Sequence, residues 1–226
     1  LWWGLRFRMV LLNFGVWFLT TALLWSTATK LVDRGYEQLE RSEFDATIRR
    51  ARGIVESRLQ AVDMKAHDWA EWNDLAEWLV DGNPSFLAEN ISDSVLAILK
   101  ERDHGFFRKD RSVAALYSYD VRTRRPLVPD TACMERVVAG LEDASLGLHL
   151  CGDSLELFSA RPVRHALHPG ERFGWIVIGH RIDKLEEAYF SSVLGKPTTI
   201  RISDSGDTVV LRDDSTALLS FDMPIV

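Results

Sequence analysis

The hydrophobic positions of the chain form two patterns, and the first is an apolar run near the N-terminus. Residues 9–29 contain no charged side chain, and most of them are apolar. About 20 such residues suffice to cross the hydrocarbon core of a bilayer as a helix. Trp2, Trp3 and Trp25 lie near the two ends, where indole rings prefer the membrane interface. The run predicts a transmembrane helix; the alternatives are a signal peptide, whose apolar core is normally shorter, and a buried core helix.

The second pattern is a helical period that follows this run. Residues 30–81 contain no proline, and apolar residues recur at steps of three or four. These residues are Ile48, Ala51, Val55, Leu59, Val62, Ala66 and Trp69. The spacing predicts one long helix that continues out of the membrane. A parallel homodimer along this stalk helix is a further expectation.

Short helical and strand-forming segments alternate through the rest of the chain. Asn83 before Pro84 is a good N-cap and predicts a short helix over residues 84–90, with another starting at Ser92. Strand formers fill residues 113–119, 154–163, 173–179, 198–202 and 208–211, while residues 131–141 and 182–194 have helical spacing. Residues 204–207 are a turn signal, and residues 223–226 read like the start of a strand. A long helix, short helices and an antiparallel sheet predict the α+β class.

Composition and charge narrow the class of function. The formal net charge is −6 with Lys and Arg dispersed, which argues against nucleic acid as a partner. Hydrophobic residues make up 46% of the chain, which is typical of a globular protein. The sequence has no G-x-S-x-G, P-loop or G-x-G-x-x-G motif, so it indicates neither an enzyme nor a cofactor.

The chain has two cysteines, Cys133 and Cys151, too few for a zinc-finger framework. Outside the cytoplasm they can form a disulfide that closes a loop of about 17 residues, worth ~3 kcal/mol; two buried free thiols are the alternative. His165, His168 and Glu171 form an H-x-x-H-x-x-E string. A hairpin turn makes it hard for these imidazoles to converge, so no metal site is predicted.

Four short motifs stand out after the apolar run. Residues 68–74 read DWAEWND, and residues 83–90 fit an N-x-x-F-x-x-x-N pattern. An Arg-Pro pair at residues 161–162 and a Gly-His-Arg string at residues 179–181 follow. Together the motifs resemble the type-four CHASE family, an extracellular sensor domain of bacterial and archaeal receptors. The resemblance runs from about residue 31 to residue 202 and implies a PAS-like or Cache-like sheet.

The resemblance implies the organisation of a receptor in the bacterial inner membrane. Residues 1–8 are then a cytoplasmic tail, residues 9–29 the transmembrane helix, and residues 30–226 the extracytoplasmic sensor domain. The chain would be truncated before a second transmembrane helix and an output domain. That output is a cyclic di-GMP module of the GGDEF or EAL kind, or a histidine kinase. An unidentified small ligand would control it; a periplasmic domain that binds a partner protein is the alternative.

Eight residues are candidates for contact with this ligand. Trp69, Trp72, Asn73 and Asp74 combine an apolar wall with an amide and a carboxylate. Tyr117 and Tyr119 share one face of a predicted strand, and Arg161 and Arg181 end or follow strands, where they could recognise an anion. The alternatives are that the tryptophans are the core face of their helix, and that the arginines form structural ion pairs, for instance with Asp74 or Asp183.

Overall fold

The computed structural model describes residues 2–139, 141, 143–151, 154–194, 198–202, 208–213 and 218–222 of the 226-residue chain. It divides into two compact units, Leu1–Arg49 and Arg50–Val226. The first helix, α1 (Trp2–Ala70), supplies the described part of the first unit and opens the second unit. We call the second unit the domain.

In the first unit, the side chains of residues 9–29 of α1 are exposed. Val16, Leu19 and Trp25 all have most of their surface accessible. The hydroxyl of Thr20 donates to the carbonyl oxygens of Val16 and Trp17 at 3.0 and 2.9 Å, so this polar group is satisfied inside the helix. Among the helices described, α1 alone is long and apolar enough to cross a membrane.

In the domain, α1 buries one face. Ala51, Val55, Leu59, Val62 and Ala66 are all buried, and they recur at steps of three or four residues. The helical period predicted from the sequence is therefore confirmed over this stretch. Val62 and Ala66 belong to the same hydrophobic core as residues of the sheet.

The prediction of one helix up to residue 81 was wrong. The first helix ends at Ala70, and α2 (Asn73–Asp81) follows it. Between them Trp72 has an extended backbone (φ −86°, ψ 117°), and its amide bonds to the carbonyl oxygen of Trp69 at 3.2 Å. Apolar spacing did not reveal the break because residues on both sides of it pack into one core. The second helix is capped at its C-terminal end by Gly82, whose φ of 68° suits glycine.

Two short helices follow, α3 (Pro84–Asn90) and α4 (Asp93–Leu99). The side chain of Asn83 accepts a hydrogen bond from the amide of Ser85 at 3.1 Å, and Pro84 stands in the first turn. The predicted cap is therefore confirmed. These helices lead directly to the first strand.

The domain contains a six-stranded sheet in which all neighbouring strands are antiparallel. Its strands are β1 (Asp103–Arg108), β2 (Val113–Asp120), β3 (Arg125–Leu127), β4 (Ser145–Cys151), β5 (Ser154–Val163) and β6 (Gly174–Arg181). The spatial order is β3-β2-β1-β6-β5-β4, which puts β1 and β6 at the centre. A helix, α5 (Thr131–Ala139), lies between β3 and β4 in the chain.

The sheet is covered on both faces, so its central strands are buried over most of their length. Phe106 and Ile176 belong to the core shared with α1 and α2. Phe107 and Trp175, which alternate with them, belong to a second core with Val137 of α5. We call these the α1 face and the α5 face. The α+β class predicted from the sequence is confirmed.

The last described elements are α6 (Lys184–Leu194) and a three-stranded sheet of β7 (Thr198–Ile202), β8 (Thr208–Asp213) and β9 (Leu218–Asp222). The predicted turn at residues 204–207 and the predicted strand start at residues 223–226 lie outside the described residues. Three strands of the larger sheet, β1, β3 and β4, were not predicted.

Candidate functional site

Six aromatic side chains meet where the first three helices pack on the sheet, and we call them the aromatic cluster. They are Trp69, Trp72, Trp78, Phe86, Phe106 and Tyr117. Their contacting ring centroids lie 5.3–6.4 Å apart, which is typical of edge-on and stacked aromatic pairs. Tyr119 is buried in the same core. Four of the eight candidate ligand residues therefore lie in one core on the α1 face.

The aromatic cluster fills the space between helices and sheet with its own rings. Phe106 is fully buried, and Trp69 and Trp72 pack on it or on Phe86. Trp69, Trp72 and Tyr117 are partly buried and pack against this core. Packing is therefore their role in this structure, and their contact with a ligand stays a prediction.

Asn73 and Asp74 have separate surroundings. The side-chain oxygen of Asn73 accepts a hydrogen bond from the amide of Ala166 at 2.8 Å, and so ties α2 to the turn between β5 and β6. Asp74 is exposed in the first turn of α2, where a negative charge favours the helix dipole. Neither side chain lies with the tyrosines, and their ligand role also stays a prediction.

Arg161 forms a bidentate ion pair with Asp63 of α1, at 2.8 and 2.6 Å. Ser159 donates a third hydrogen bond to the same carboxylate at 2.7 Å. The hydrogen bond from Arg161, assisted by that from Ser159, lowers the pKa of Asp63 although partial burial opposes this. Arg161 thereby fastens β5 to α1.

Arg181 lies on the opposite face of the sheet and pairs with Glu156, with both contacts made to Oε1 at 3.0 and 2.9 Å. Residues 156 and 161 differ by an odd number along a regular strand, so their side chains point to opposite faces. The two arginines therefore do not converge on one anion. The ion pairs expected with Asp74 or Asp183 are replaced by pairs with Asp63 and Glu156.

One end of the α5 face carries buried charge, and we call Asp103, Ser118, Glu156 and Arg181 the charged cluster. Ser118 donates a hydrogen bond to Oδ1 of Asp103. A methyl group placed on Gly179 would stand 3.3 Å from Cβ of Asp103 and 3.4 Å from Oε2 of Glu156, so the two carboxyl side chains flank this glycine. Burial, with the nearby charge of Glu156, raises the pKa of Asp103 to about 6.

Buried charge also lies on the α1 face at the same end of the sheet. Glu101 pairs with Lys65 of α1 and, at 2.7 Å, with Nδ1 of His180. Burial would raise the pKa of Glu101, but the hydrogen bonds from His180 and Lys65 outweigh it, and the pKa is lowered. This network connects α1 with the end of β6.

The two cysteines lie beside the charged cluster. Cys133 of α5 and Cys151 at the end of β4 form a disulfide, with their Cα atoms 5.5 Å apart. Sγ of Cys151 lies 3.4 Å from Oε2 of Glu156. His149 is opposite Glu156 in the ladder between β4 and β5. The ligand atoms of Cys133, His149 and Cys151 all lie within 4.8 Å of one another.

The histidine string between β5 and β6 is arranged differently. His165 and His168 pair across a tight turn, with ring centroids 5.6 Å apart, and both rings contact Phe173. Nε2 of His165 lies 3.4 Å from a carboxylate oxygen of Glu77, and Glu171 pairs with Lys109 at 3.0 Å. The carboxylate of the string is thus engaged by Lys109.

Comparison with known proteins assigns the family. The family model for the CHASE4 domain matches residues 54–201, well over half of the chain. The chain belongs to the CHASE4 family. Its solved structural neighbours include an extracellular domain assigned to a histidine kinase, at 20% identity and a TM-score of 0.44, with 74% of this chain and 61% of that chain covered. A comparison with the curated proteins found no match.

Two further neighbours come from Vibrio species. A domain assigned to a sensory box/GGDEF family protein of Vibrio parahaemolyticus is 18% identical, with a TM-score of 0.43, and the alignment covers 74% of this chain and 64% of that one. The periplasmic domain of Vibrio cholerae LuxQ is 12% identical, with a TM-score of 0.49 and coverage of 70% and 74%. The CHASE4 chain spans less than two thirds of the first two neighbours.

Membership of the CHASE4 family makes residues 54–201 a sensor domain rather than a catalytic one. The family, together with the exposed apolar stretch of α1, indicates a membrane-anchored sensor domain. The resemblance predicted from the four sequence motifs is confirmed.

The residues that the sequence analysis missed are those of the charged cluster on β1 and β5, and His149. Asp103 opens a strand that was not predicted, and His149 lies on another. Glu156 was read as part of a strand run but not as buried, although it is only 4% exposed. The alternation of Leu148, His149 and Leu150 in β4 was the available signal for that strand.

Proposed function

We propose that this CHASE4 chain is the extracytoplasmic sensor region of a receptor in the bacterial inner membrane, and that a small ligand bound at the charged cluster controls the receptor's output. The family assignment supports the sensor role. The observation that carries the ligand site is the pair of buried carboxylates, Asp103 and Glu156, on either side of Gly179.

Buried carboxylates reduce the stability of a domain unless their surroundings compensate for lost hydration. Glu156 has Arg181 as its partner, whereas Asp103 has one hydrogen bond from Ser118 and lies 3.5 Å from Nε of Arg102. Buried charged side chains are frequent at functional sites, because they provide directional contacts inside an apolar wall. Leu116 and Met134 supply apolar surface on the same face.

A ligand shifts a receptor only by binding one conformation more tightly than another. The charged cluster lies at the ends of β1, β5 and β6, and β1 begins two residues after Glu101, which pairs with Lys65 of α1. A ligand that repositions the start of β1 would therefore act on α1 through this ion pair. The helix α1 continues to Trp2 and includes the apolar run.

The proposed output is a cyclic di-GMP module of the GGDEF or EAL kind, and a histidine kinase is the alternative. The predicted organisation stays as stated from the sequence, with residues 1–8 in the cytoplasm and residues 9–29 in the bilayer. The active form is proposed to be a homodimer through the stalk helix. Light scattering of the full chain in detergent would give a protein mass of two chains, and a mass of one chain would contradict the dimer.

A metabolite screen by thermal shift tests the ligand site, because a ligand that binds only the native state must raise the melting temperature. We expect at least one small molecule to stabilise the full chain in detergent. Asp103→Asn and Glu156→Gln should each abolish the shift caused by that molecule. Glu89→Gln, at an exposed position on α3, should leave it unchanged.

Two results would contradict the proposal. One is a screen in which no molecule stabilises the wild-type chain. The other is a ligand whose shift survives both substitutions in the charged cluster. If substitutions around Trp69 or Trp72 abolish the shift instead, the ligand lies in the aromatic cluster.

A further inference from the structure

The disulfide lies among further side chains that bind metals. His149 occupies the same face of β4 as Cys151, two residues away, and its ring packs edge-on against Phe158 with centroids 6.2 Å apart. Its ligand nitrogen lies within 4.8 Å of both sulfur atoms. The disulfide and the imidazole of His149 therefore lie together where α5 packs against β4.

Glu156 is placed to supply a fourth ligand atom. Both nitrogen contacts from Arg181 go to Oε1 of this carboxylate. The other oxygen, Oε2, faces Sγ of Cys151 at 3.4 Å. Ligand atoms on a tetrahedral zinc ion lie about 3.5 Å apart, since Zn–S is ~2.3 Å and Zn–O or Zn–N ~2.1 Å. The spacing of this sulfur and oxygen already suits such an ion.

We propose that the reduced form of the chain contains a binding site for a divalent ion of the zinc type, with Cys133, His149, Cys151 and Glu156 as its ligands. Two thiolates, an imidazole and a carboxylate form a donor set that suits zinc. The disulfide and the metal compete because both use the same two sulfur atoms. The same contact between α5 and β4 is therefore made either by a covalent bond or through a metal ion.

The disulfide form and the metal-bound form interconvert in two steps, reduction and metal binding. A dithiol reductant gives two electrons and two protons to the disulfide, which becomes two thiols, while the reductant becomes its own disulfide. Zinc then binds the two sulfurs as thiolates and releases the two thiol protons. Oxidation of the metal-free dithiol reverses the first step. This site does not depend on the proposed small ligand, although both involve Glu156.

Zinc binding to the full chain in detergent tests the proposal. The chain is prepared with its disulfide intact or reduced with a phosphine, and thiol counting establishes each state. We expect one zinc ion per reduced chain and none per oxidised chain. With cobalt as the probe, the reduced chain should show the absorption of tetrahedral cobalt bound to thiolate.

Two histidine variants test whether His149 is a ligand of the metal or only lies near it. His149→Gln keeps both cysteines and should weaken zinc binding by more than the roughly 10- to 100-fold loss typical for removing an outer-shell group. His168→Gln, in the turn between β5 and β6, is the matched control and should bind zinc like the wild type.

Three results would overturn the site. They are equal zinc binding by the reduced and oxidised chains, equal binding by His149→Gln and the wild type, and a reduced chain that unfolds and does not regain its circular dichroism when zinc is added. Each can occur whether or not the metabolite screen finds a ligand. The metal site and the small-ligand site therefore fail independently.

Discussion

At the scale of single residues, the neighbours Asp103 and His104 on β1 have side chains on opposite faces of the sheet and opposite pKa shifts. His104 is buried on the α1 face, and neither ring nitrogen has a hydrogen-bond partner among the residues described. Burial lowers its pKa to about 4, although Glu101 nearby opposes the shift and Lys65 adds to it. On the α5 face, burial raises the pKa of Asp103 to about 6.

These shifts act on stability in opposite directions as the pH falls. The folded domain holds His104 neutral, so stability from this group is present above pH 6.5 and is lost as the pH falls towards 4. The folded domain favours protonated Asp103, so its contribution is present below pH 3.8 and is lost as the pH rises through 6. Over most of this range the two groups offset each other.

Substitution of either residue should leave the pH dependence of stability that the remaining residue causes. Relative to wild type, the free energy of unfolding of His104→Gln should rise by about 3 kcal/mol between pH 6.5 and pH 4, because the variant no longer pays for a buried imidazolium. Asp103→Asn should fall relative to wild type over the same range. Urea unfolding at several pH values measures both, and parallel profiles for the two variants would contradict the assignment.

The ion pair between Arg161 and Asp63 should be worth more than an exposed pair on α1. Both side chains are about a quarter exposed, and the contact is bidentate. A double-mutant cycle with Arg161→Ala and Asp63→Ala should give a coupling energy of about 1 to 2 kcal/mol. The exposed pair of Arg52 and Glu56 is the control and should give no more than about 0.5 kcal/mol. Equal coupling in the two cycles would show that α1 is not fastened to β5 in this way.

At the scale of elements, the central pair of strands packs so closely that one position excludes a side chain. Gly174 begins β6 opposite Arg108 of β1. A methyl group on Gly174 would collide with the backbone carbonyl oxygen of Phe107 and stand 2.8 Å from Cδ1 of Leu79. The approach of β6 to β1 and α2 therefore requires glycine here for space rather than for its backbone conformation.

Gly174→Ala should destabilise the chain by more than about 2 kcal/mol, because the backbone of β1 cannot move without breaking the ladder. Gly170→Ala is the matched control, since a methyl group there meets nothing within 4 Å, and its effect should stay within about 0.5 kcal/mol. Urea unfolding of the full chain in detergent measures both. Equal stability of the two variants would disprove the close approach.

At the scale of the whole molecule, the exposed apolar stretch of α1 distinguishes the first unit from the domain. Val16 and Leu19 have exposed fractions of 59% and 69% and lie within an uncharged run. Val80 and Ile98 in the domain are as exposed, at 72% and 75%, but charged residues lie within five positions of each of them in the sequence. The exposed fraction alone does not distinguish Val16 and Leu19 from the two residues of the domain. Their position in a continuous uncharged run does.

Charge placed in the run should therefore prevent membrane insertion. Arginine at the centre of a transmembrane helix costs about 2.5 to 3.5 kcal/mol per residue. The double substitution of Val16→Arg with Leu19→Arg should move the chain out of the membrane fraction, while Val80→Arg with Ile98→Arg should not. Fractionation after alkaline extraction measures the distribution. If the first variant stays in the membrane like the second, the run is not the anchor.

Element types could be predicted from local signals where these were strong. The period of α1, the cap at Asn83 and strands β2, β5 and β6 were all readable, since each depends on neighbours in sequence. Strand β1 was missed because Asp103 and His104 are polar and Gly105 is a poor strand former. They are buried there because β2 and β6 flank the strand and helices cover both faces.

The candidate site shows the same division. Trp69 and Trp72 were predicted to form an apolar wall, and their rings do meet, with centroids 5.4 Å apart, because burial of aromatic surface is encoded by each residue itself. The partners of Arg161 and Arg181 were not predictable, since Asp63 and Glu156 are as polar in sequence as the other acidic residues. Only the register of β5 against β6 and the packing of α1 select these two carboxylates.

Local chemistry alone thus established the apolar run, the helical period, the α+β class and the family motifs. The arrangement in space decided which charges are buried, which face each side chain occupies, and that Cys133, His149 and Cys151 lie together. The physical reason is that hydrophobicity and backbone preference act between near neighbours in the chain. Ion pairs, pKa shifts and metal ligation instead depend on distances between residues far apart in sequence.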